Sequence, residues 1–340
     1  MSATCTTKTQ LDAPLAFAGV TIRNRVLLAP MSGVTDVPFR RLAWEGGAGM
    51  VVSEMVASEA WSTGKEEMRL KAEGAGLPVH IVQIAGRDPH WMAEAARLAE
   101  GAGAQVVDIN MGCPARMVTT GWSGSALMRD LDHALTLIDA TVGATDLPVT
   151  LKMRLGWDHD SLNAPELAAR AEDAGVRLLT VHGRTRCQFY KGRVDWSAVR
   201  RVRAATRLPL VVNGDIASAA DAHEAIATSG ADAVMVGRAA YGAPWRPGLV
   251  AGVASPPDDL GPYVKRHHAA MLAHYGEAIG VRAARKHLGW YADGCDLPAD
   301  RLSLRGVLMR ETNGAAANRA VAELFDGIAP RDALPLSLAA

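Results

Sequence analysis

Cys113 stands in Asn110-Met111-Gly112-Cys113-Pro114, a turn that closes the apolar run 105–110. A thiol at its ordinary pKa of about 8.5 is mostly protonated at neutral pH and can donate that proton; with a lowered pKa it is a nucleophile. A buried thiol that does neither is a small inert hydrophobe. Lys152 lies in Val149-Thr150-Leu151-Lys152-Met153, where a solvated surface lysine is out of place. It could form a Schiff base with a carbonyl substrate, or stand as a cation beside an anionic cofactor ring. His182 could be a base, an orienting donor or a satisfied core histidine. Asn213-Gly214-Asp215 and Gly237-Arg238 close two successive apolar runs. Glycines let backbone N–H groups approach an anion, and arginine binds phosphate oxygens bidentately, so these two turns read as a phosphate site. No His, Asp or Glu cluster has ligand spacing, and no metal is expected.

The elements that must position these residues are eight Val/Ile/Leu-rich runs: 26–30, 49–53, 79–84, 105–110, 149–153, 178–182, 208–213 and 233–236. Near-continuous apolar runs of this length read as parallel strands covered on both faces. Stretches with apolar spacing of three and four lie between them, such as 89–103 and 165–175, the second ending on a glycine. Asp88-Pro89 and the segment from Ser218 to Asp221 have the composition of helix starts. Eight strand–helix units predict a (β/α)8 TIM barrel, an α/β fold whose chemistry sits at the C-terminal ends of its strands. An open doubly wound sheet uses similar elements, but no GxGxxG follows the first run. Gln83 and Lys152 are poor turn formers, so their place at strand ends marks a polar mouth rather than a set of turns.

After Ala254, Ser-Pro-Pro-Asp-Asp reads as a linker, and 263–275, 282–291 and 302–310 read as helices of a small all-helical C-terminal domain. The expected organisation is an N-terminal extension 1–18, a barrel 19–252, a linker 253–259, a helical domain 260–333 and a tail 334–340. With 49% hydrophobic and 21% charged residues the composition is that of a globular chain, which excludes wholesale disorder. No apolar stretch long enough for a membrane span and no secretory start are visible. Cys5, Cys113, Cys187 and Cys295 are scattered without a CxxC pair, which argues against a disulfide framework and for a reducing, cytoplasmic setting. Lys plus Arg and Asp plus Glu are 36 each, so RNA binding would have to rest on local charge. Residues 184–207 supply it, with eight basic groups against Asp195 alone. Arg184, Arg186 and Lys191 fall in the loop after the sixth run, and Arg282, Arg285, Lys286 and His287 share one predicted helix.

The segments Ala29-Pro30-Met31-Ser32-Gly33-Val34-Thr35-Asp36, Val82-Gln83-Ile84-Ala85-Gly86, 108–115, Gly124-Ser125-Ala126-Leu127, Lys152-Met153-Arg154, 181–186, Asn213-Gly214-Asp215-Ile216 and Gly237-Arg238-Ala239 occur together. With them, over about residues 19–325, the chain resembles the tRNA-dihydrouridine synthases, most closely the bacterial B type; Arg285-Lys286-His287 with Trp290-Tyr291 is similar to that type's C-terminal domain. The resemblance implies an FMN-dependent enzyme that reduces the C5–C6 double bond of selected uridines in tRNA, with NADPH as electron donor. It makes Cys113 the general acid. Pro30, Met31 and Ser32 would line the flavin, Gln83 and Lys152 contact its ring, and His182 lie by the ring or phosphate. Asn213, Gly214, Asp215, Gly237 and Arg238 would hold the ribityl chain and phosphate. Arg116, Arg184, Arg186, Lys191, Arg285 and Lys286 are the expected RNA contacts, and a monomer is expected. The family usually carries several basic residues after Gly-Cys-Pro-Ala; here Arg116 keeps one charge, and Met117, Thr119 and Thr120 supply none. The rivals are an FMN barrel acting on a small molecule such as dihydroorotate, a Lys152 aldolase, and a non-catalytic RNA-binding protein.

Overall fold

The computed structural model describes residues 9–331; Cys5 and the expected tail 334–340 lie outside them, as does the start of the expected N-terminal extension. The first elements are an antiparallel hairpin, β1 (Leu15–Phe17) and β2 (Val20–Ile22). Its two-residue turn holds Ala18 and Gly19 at φ +43° and +81°, the positive dihedrals that let a tight turn follow the strands' own twist. The hairpin crosses the boundary expected between residues 18 and 19. Burial decides this: Phe17 and Ile22 reach into the barrel and pack with Leu27, Ile81, Val106, Leu178, Val211 and Ala233.

The parallel strands are β3 (Val26–Leu28), β4 (Met55–Ala57), β5 (Ile81–Ala85), β6 (Val106–Met111), β7 (Val149–Arg154), β8 (Leu178–His182), β9 (Leu210–Asn213) and β10 (Ala233–Val236). From β4 to β10 each pairs with the next, and β10 returns to β3. A bridge between Leu28 and Val51, with the Leu28 N–H donated to Met50 O at 2.9 Å, joins β3 to the segment leading into β4. The strands thus form a ring, and the fold is the (β/α)8 barrel rather than the open sheet.

The second strand differs from expectation. The run 49–53 forms no regular strand: it makes the bridge at Val51 and donates from Gly49 N–H to Val26 O at 2.8 Å and from Ser53 N–H to Ile81 O at 3.1 Å, and regular pairing with β5 begins at Met55. Ser53 causes the break. Its Oγ accepts from Gln83 N–H at 2.9 Å and donates to Glu54 O at 2.8 Å, so a side chain takes a ladder position.

The helices of the barrel wall are α1 (Val37–Glu45), α2 (Ser58–Ser62), α3 (Glu66–Ala72), α4 (Pro89–Gly101), α5 (Arg116–Thr119), α6 (Leu131–Val142), α7 (Ala164–Asp173), α8 (Trp196–Ala205), α9 (Ala219–Ser229) and α10 (Arg246–Ala251). Asp88 caps α4 by accepting from His90 N–H, and Ser218 and Asp221 form a reciprocal capping box on α9. Four helices follow: α11 (Leu260–Tyr275), α12 (Glu277–Asp293), α13 (Leu302–Leu308) and α14 (Gly314–Phe325). The last was not singled out from the sequence, although Ala317, Val321 and Leu324 give it an apolar face. Among the described residues no helix is long and apolar enough to cross a membrane, and no group of three His, Cys, Asp or Glu could hold a metal ion.

The C-terminal helices are locked to the barrel by rings. Tyr241 stacks on Trp290 with centroids 4.1 Å apart, and Phe39 of α1 meets His287 at 5.5 Å and His267 at 6.0 Å. Gly242, at φ +65°, lies so close to α12 that a Cβ there would stand 2.5 Å from Trp290 O. His267, His268 and His287 are each only 1% exposed. Burial pushes His267 down to about 3 and His287 well below the ordinary value, so both stay neutral in the fold. The unfolded chain takes up these protons near 6.5 and the folded chain does not, so stability falls as pH drops below about 6.5. His287→Leu should therefore flatten the pH dependence of the unfolding free energy between pH 6.5 and 5, by up to ~1.4 kcal/mol per pH unit. Urea melts at three pH values measure this; an unchanged slope would mean that His287 is already protonated in the fold.

Candidate active site

Side chains alternate across a strand, so Thr150, Lys152 and Arg154 share one face of β7, and Asp108 and Asn110 share one face of β6. A chain of hydrogen bonds runs through this face. Thr150 Oγ1 donates to Asp108 Oδ1 at 2.6 Å, and Gln83 Nε2 donates to Asp108 Oδ2 at 2.7 Å. Asn110 Nδ2 donates to Gln83 Oε1 at 2.8 Å. Asn110 Oδ1 then accepts from the N–H groups of Gly112 and Cys113, at 3.1 and 2.9 Å. From the other side, Ser125 donates to Cys113 O through both N–H and Oγ, at 3.1 and 2.8 Å. The turn is thus fixed from both ends, and the Cys113 side chain is left half-buried. Burial raises the Asp108 carboxyl above its usual range, against the pull of Thr150, Gln83 and Lys152.

Across the mouth, Lys152 Nζ donates to Asn213 Oδ1 at 3.2 Å, while Asn213 Nδ2 donates to Met235 O at 2.8 Å. This ties β7, β9 and β10 together at one level. Burial, with Arg154 nearby, lowers Lys152 to about 8. Burial and four surrounding cations, Arg154, Lys152, Arg184 and Arg238, hold His182 well below its usual value, so the ring is neutral. Arg154 donates to the carbonyls of Gly112, Thr185 and Phe189 at 2.7–2.9 Å, which joins the loop after β6 to the loop after β8.

Gly214 has φ +122°, and a Cβ there would press within 2.6 Å of Val194 and 3.0 Å of the His182 ring. Beside it the backbone is open. A Cβ on Gly237 would meet only Ala29, at 4.0 Å. Arg238 borders this space, 3.4 Å from Asp215 Oδ1 and 4.8 Å from the Tyr190 ring centroid. An accessible glycine turn inside a ring of cations has the donor chemistry of an anion site. Pro30, Met31 and Ser32 follow β3 at the same end of the barrel, and Gly33 N–H donates to the buried Glu54 carboxylate.

Arg184 departs from expectation. It is 2% exposed and grips Asp215 through both guanidinium nitrogens, with a further bond to Gly192 O at 2.7 Å. It is therefore an interior strut and presents no charge to an RNA backbone. Asp215, at φ +52°, spends its carboxylate on Arg184 and Arg238. Arg285 is partly buried and donates to Glu311 O at 2.9 Å, in the turn that follows α13. Arg186 is partly buried against Trp157 and Phe189. Arg116, Lys191 and Lys286 are exposed. Lys286 reaches from α12 to the barrel rim, its Nζ 3.2 Å from where a Gly33 Cβ would stand.

The sequence places Asp108, Asn110 and Arg154 at strand ends on the active face but assigns them no role, and it does not single out Tyr190. The first three repeat at intervals of two along their strands with Thr150 and Lys152, a period that separates the lumen face from the helix face. Tyr190 carried no such signal; its loop folds it beside Arg154, with the guanidinium 5.3 Å from its ring.

The dihydrouridine synthase family model matches residues 27–321. The chain belongs to this family. It is 58% identical over 275 residues to a probable tRNA-dihydrouridine synthase of Rhizobium leguminosarum bv. phaseoli, covering 81% of this chain and 87% of that protein. It is 45% identical to tRNA-dihydrouridine synthase B of Xanthomonas campestris pv. campestris, covering 94% and 98%. Among solved structures, a morphinone reductase variant in complex with tetrahydroNAD superposes with TM-score 0.51 at 16% identity, over 74% of this chain and 93% of that one. An old yellow enzyme homologue from Zymomonas mobilis gives 0.50 at 16% identity, over 69% and 90%. These two likenesses are of fold.

In this dihydrouridine synthase family member the Arg184–Asp215 pair is a stability feature. Arg184→Gln leaves Asp215 without its bidentate partner and should lower the unfolding free energy by about 2–4 kcal/mol. Lys191→Gln, at an exposed site, should change it by less than about 0.5 kcal/mol. Thermal melts of both variants check this; equal melting temperatures would contradict the interior role of Arg184.

Proposed function

We propose that this protein reduces the C5–C6 double bond of selected uridines in tRNA, holding FMN in the barrel mouth and using NADPH as electron donor. The observation that carries this reading is the Asp108–Gln83–Asn110 chain, which fixes the Cys113 turn opposite a cation-lined glycine turn. Family membership and the printed names of the relatives support the substrate.

The residues present suit FMN. Gly214, Gly237, Arg238 and Asn213 would hold the phosphate and ribityl chain, with Asp215 setting the arginine. Lys152 and Gln83 would meet the ring, His182 would lie beside the ring or phosphate, and Pro30, Met31 and Ser32 would line it. When bound, the flavin supplies the hydride that C6 of uracil accepts. Burial, with Arg154 nearby, brings Lys152 down to about 8, so the amine stays mostly protonated at neutral pH, and an anion next to it favours that charged form further. As C6 accepts hydride, charge builds toward C5 and O4 of the base. The Cys113 thiol carries its own proton and gives it to C5, while Asn110 holds the turn in place. A target uridine must leave its stack to reach this depth. Arg116, Arg186, Lys191 and Lys286 surround the entrance and would meet phosphates or bases of the RNA.

Cys113→Ala should stay folded, retain its flavin and still be reduced by NADPH, while hydride transfer to tRNA slows by about 10²–10⁴, the usual share of one general acid. Cys187→Ala, at an exposed thiol, should match the parent. Rapid mixing of the reduced enzymes with tRNA measures both, and mass spectrometry identifies dihydrouridine in the product. If Cys113→Ala reoxidises at the parent rate, the proton comes from another group.

A further inference from the structure

The loop after Cys113 closes on itself. Its far end, Gly124, lies so near that a Cβ there would be 2.9 Å from Cys113 O and 3.2 Å from Cys113 Cβ. Between these ends the loop shows large apolar side chains to solvent: Met117 is 88% exposed and Trp122 is 51% exposed. Single exposed hydrophobics are ordinary on any surface, but Trp122 is not isolated. Arg129 stands 5.2 Å from its ring centroid and 4.9 Å from that of Trp157. Arg186 follows, 4.6 Å from Trp157 and 4.7 Å from Phe189. The result is a row of alternating rings and guanidinium groups, with Trp122 at its end two residues from the neck that touches Cys113.

Rings alternating with cations are the surface that single-stranded nucleic acid uses, because every base offers a π face whatever its identity. Turning one base out of the stack bares a face of its neighbour. The groove next to Trp122 and Arg129 holds Asp130, Asp132 and Glu166 against Arg129 and Arg170, and Arg170 is already paired with Asp132 and Glu166, so it offers phosphates little. The exposed Arg116, on the same loop, is the better approach for the strand, with Trp122 as the end of its contact. We propose that Trp122, braced by Arg129, is a stacking platform for the unpaired base next to the target uridine. The assignment rests on the tRNA reading above and adds the means by which a loop with one cation grips RNA.

Stacking releases no counterions, whereas a phosphate contact does. Binding of tRNA to the flavin-loaded enzyme, measured across a salt series, separates the two. Trp122→Ala and Trp122→Leu should each weaken binding about ten- to a hundredfold at every salt concentration, leaving the slope of log affinity against log salt unchanged. Trp122→Phe should restore most of the loss. Arg116→Gln should instead make the slope shallower by about one. The parent should also prefer oligouridylate to an abasic chain of equal length, and Trp122→Leu should erase that preference. Parent-like binding by Trp122→Leu, or a slope change like that of Arg116→Gln, would overturn the platform and leave the tRNA reading standing. A parent enzyme that binds no tRNA would overturn both.

Discussion

Asp108 is a carboxylate inside the barrel, and the mouth is arranged around it. An ionised carboxylate accepts hydrogen bonds and donates none, so it dictates the direction of its partners. It takes one bond from Thr150 and one from the amide nitrogen of Gln83, and this forces the Gln83 oxygen toward Asn110. Asn110 must then offer its nitrogen to Gln83 and its oxygen to the backbone of Gly112 and Cys113. No member of the chain can turn its amide round without putting two donors or two acceptors face to face. One buried charge thereby fixes the orientation of a turn two side chains away. The same carboxylate also offsets part of the positive charge of Lys152.

The rest of the mouth is short of negative charge. Lys152, Arg154, Arg184 and Arg238 surround His182, and Asp215 is committed to two of the arginines. Arg154 is satisfied by three carbonyls, which neutralise none of its charge. Burying cations with too few counterions is unfavourable, and the lowered pKa values of Lys152 and Arg154 register that burden. Such a site gains most when an anion enters. The neutral state of His182 belongs to the same balance: a further proton there would add to an excess already present.

The ring of eight strands and the first three helices beyond residue 259 were legible because apolar runs and period-three-and-four stretches report burial directly. The second strand was legible only as a run; the sequence gives no sign that the Ser53 hydroxyl would replace a ladder bond and move the pairing to Met55. The hairpin was hidden because three-residue strands are too short for a pattern, and its turn uses Ala18 at positive φ, where Asn or Gly is the usual signal. The strand-end polar residues were legible in the site, since Gln83, Lys152 and His182 have no reason to end apolar runs otherwise. Charge was the weakest guide. Arg184 and Lys191 look alike in sequence, and only the fold shows one of them turned inward onto Asp215.

The barrel is stoppered at its lower end by Phe17 and Ile22 and bordered above by Lys286 and the rings of α12. The stopper comes from β1 and β2, and the upper border from α12, far later in the chain. At translation rates of about 5–20 residues per second, the barrel waits a few seconds for α11 and α12, on the order of 1–8 s. During that interval Phe39 and Tyr241 have no aromatic partners, since theirs come from residues 267, 287 and 290. A nascent chain stalled past α10 therefore presents a nearly complete barrel whose Phe39 and Tyr241 still lack the rings that pack against them.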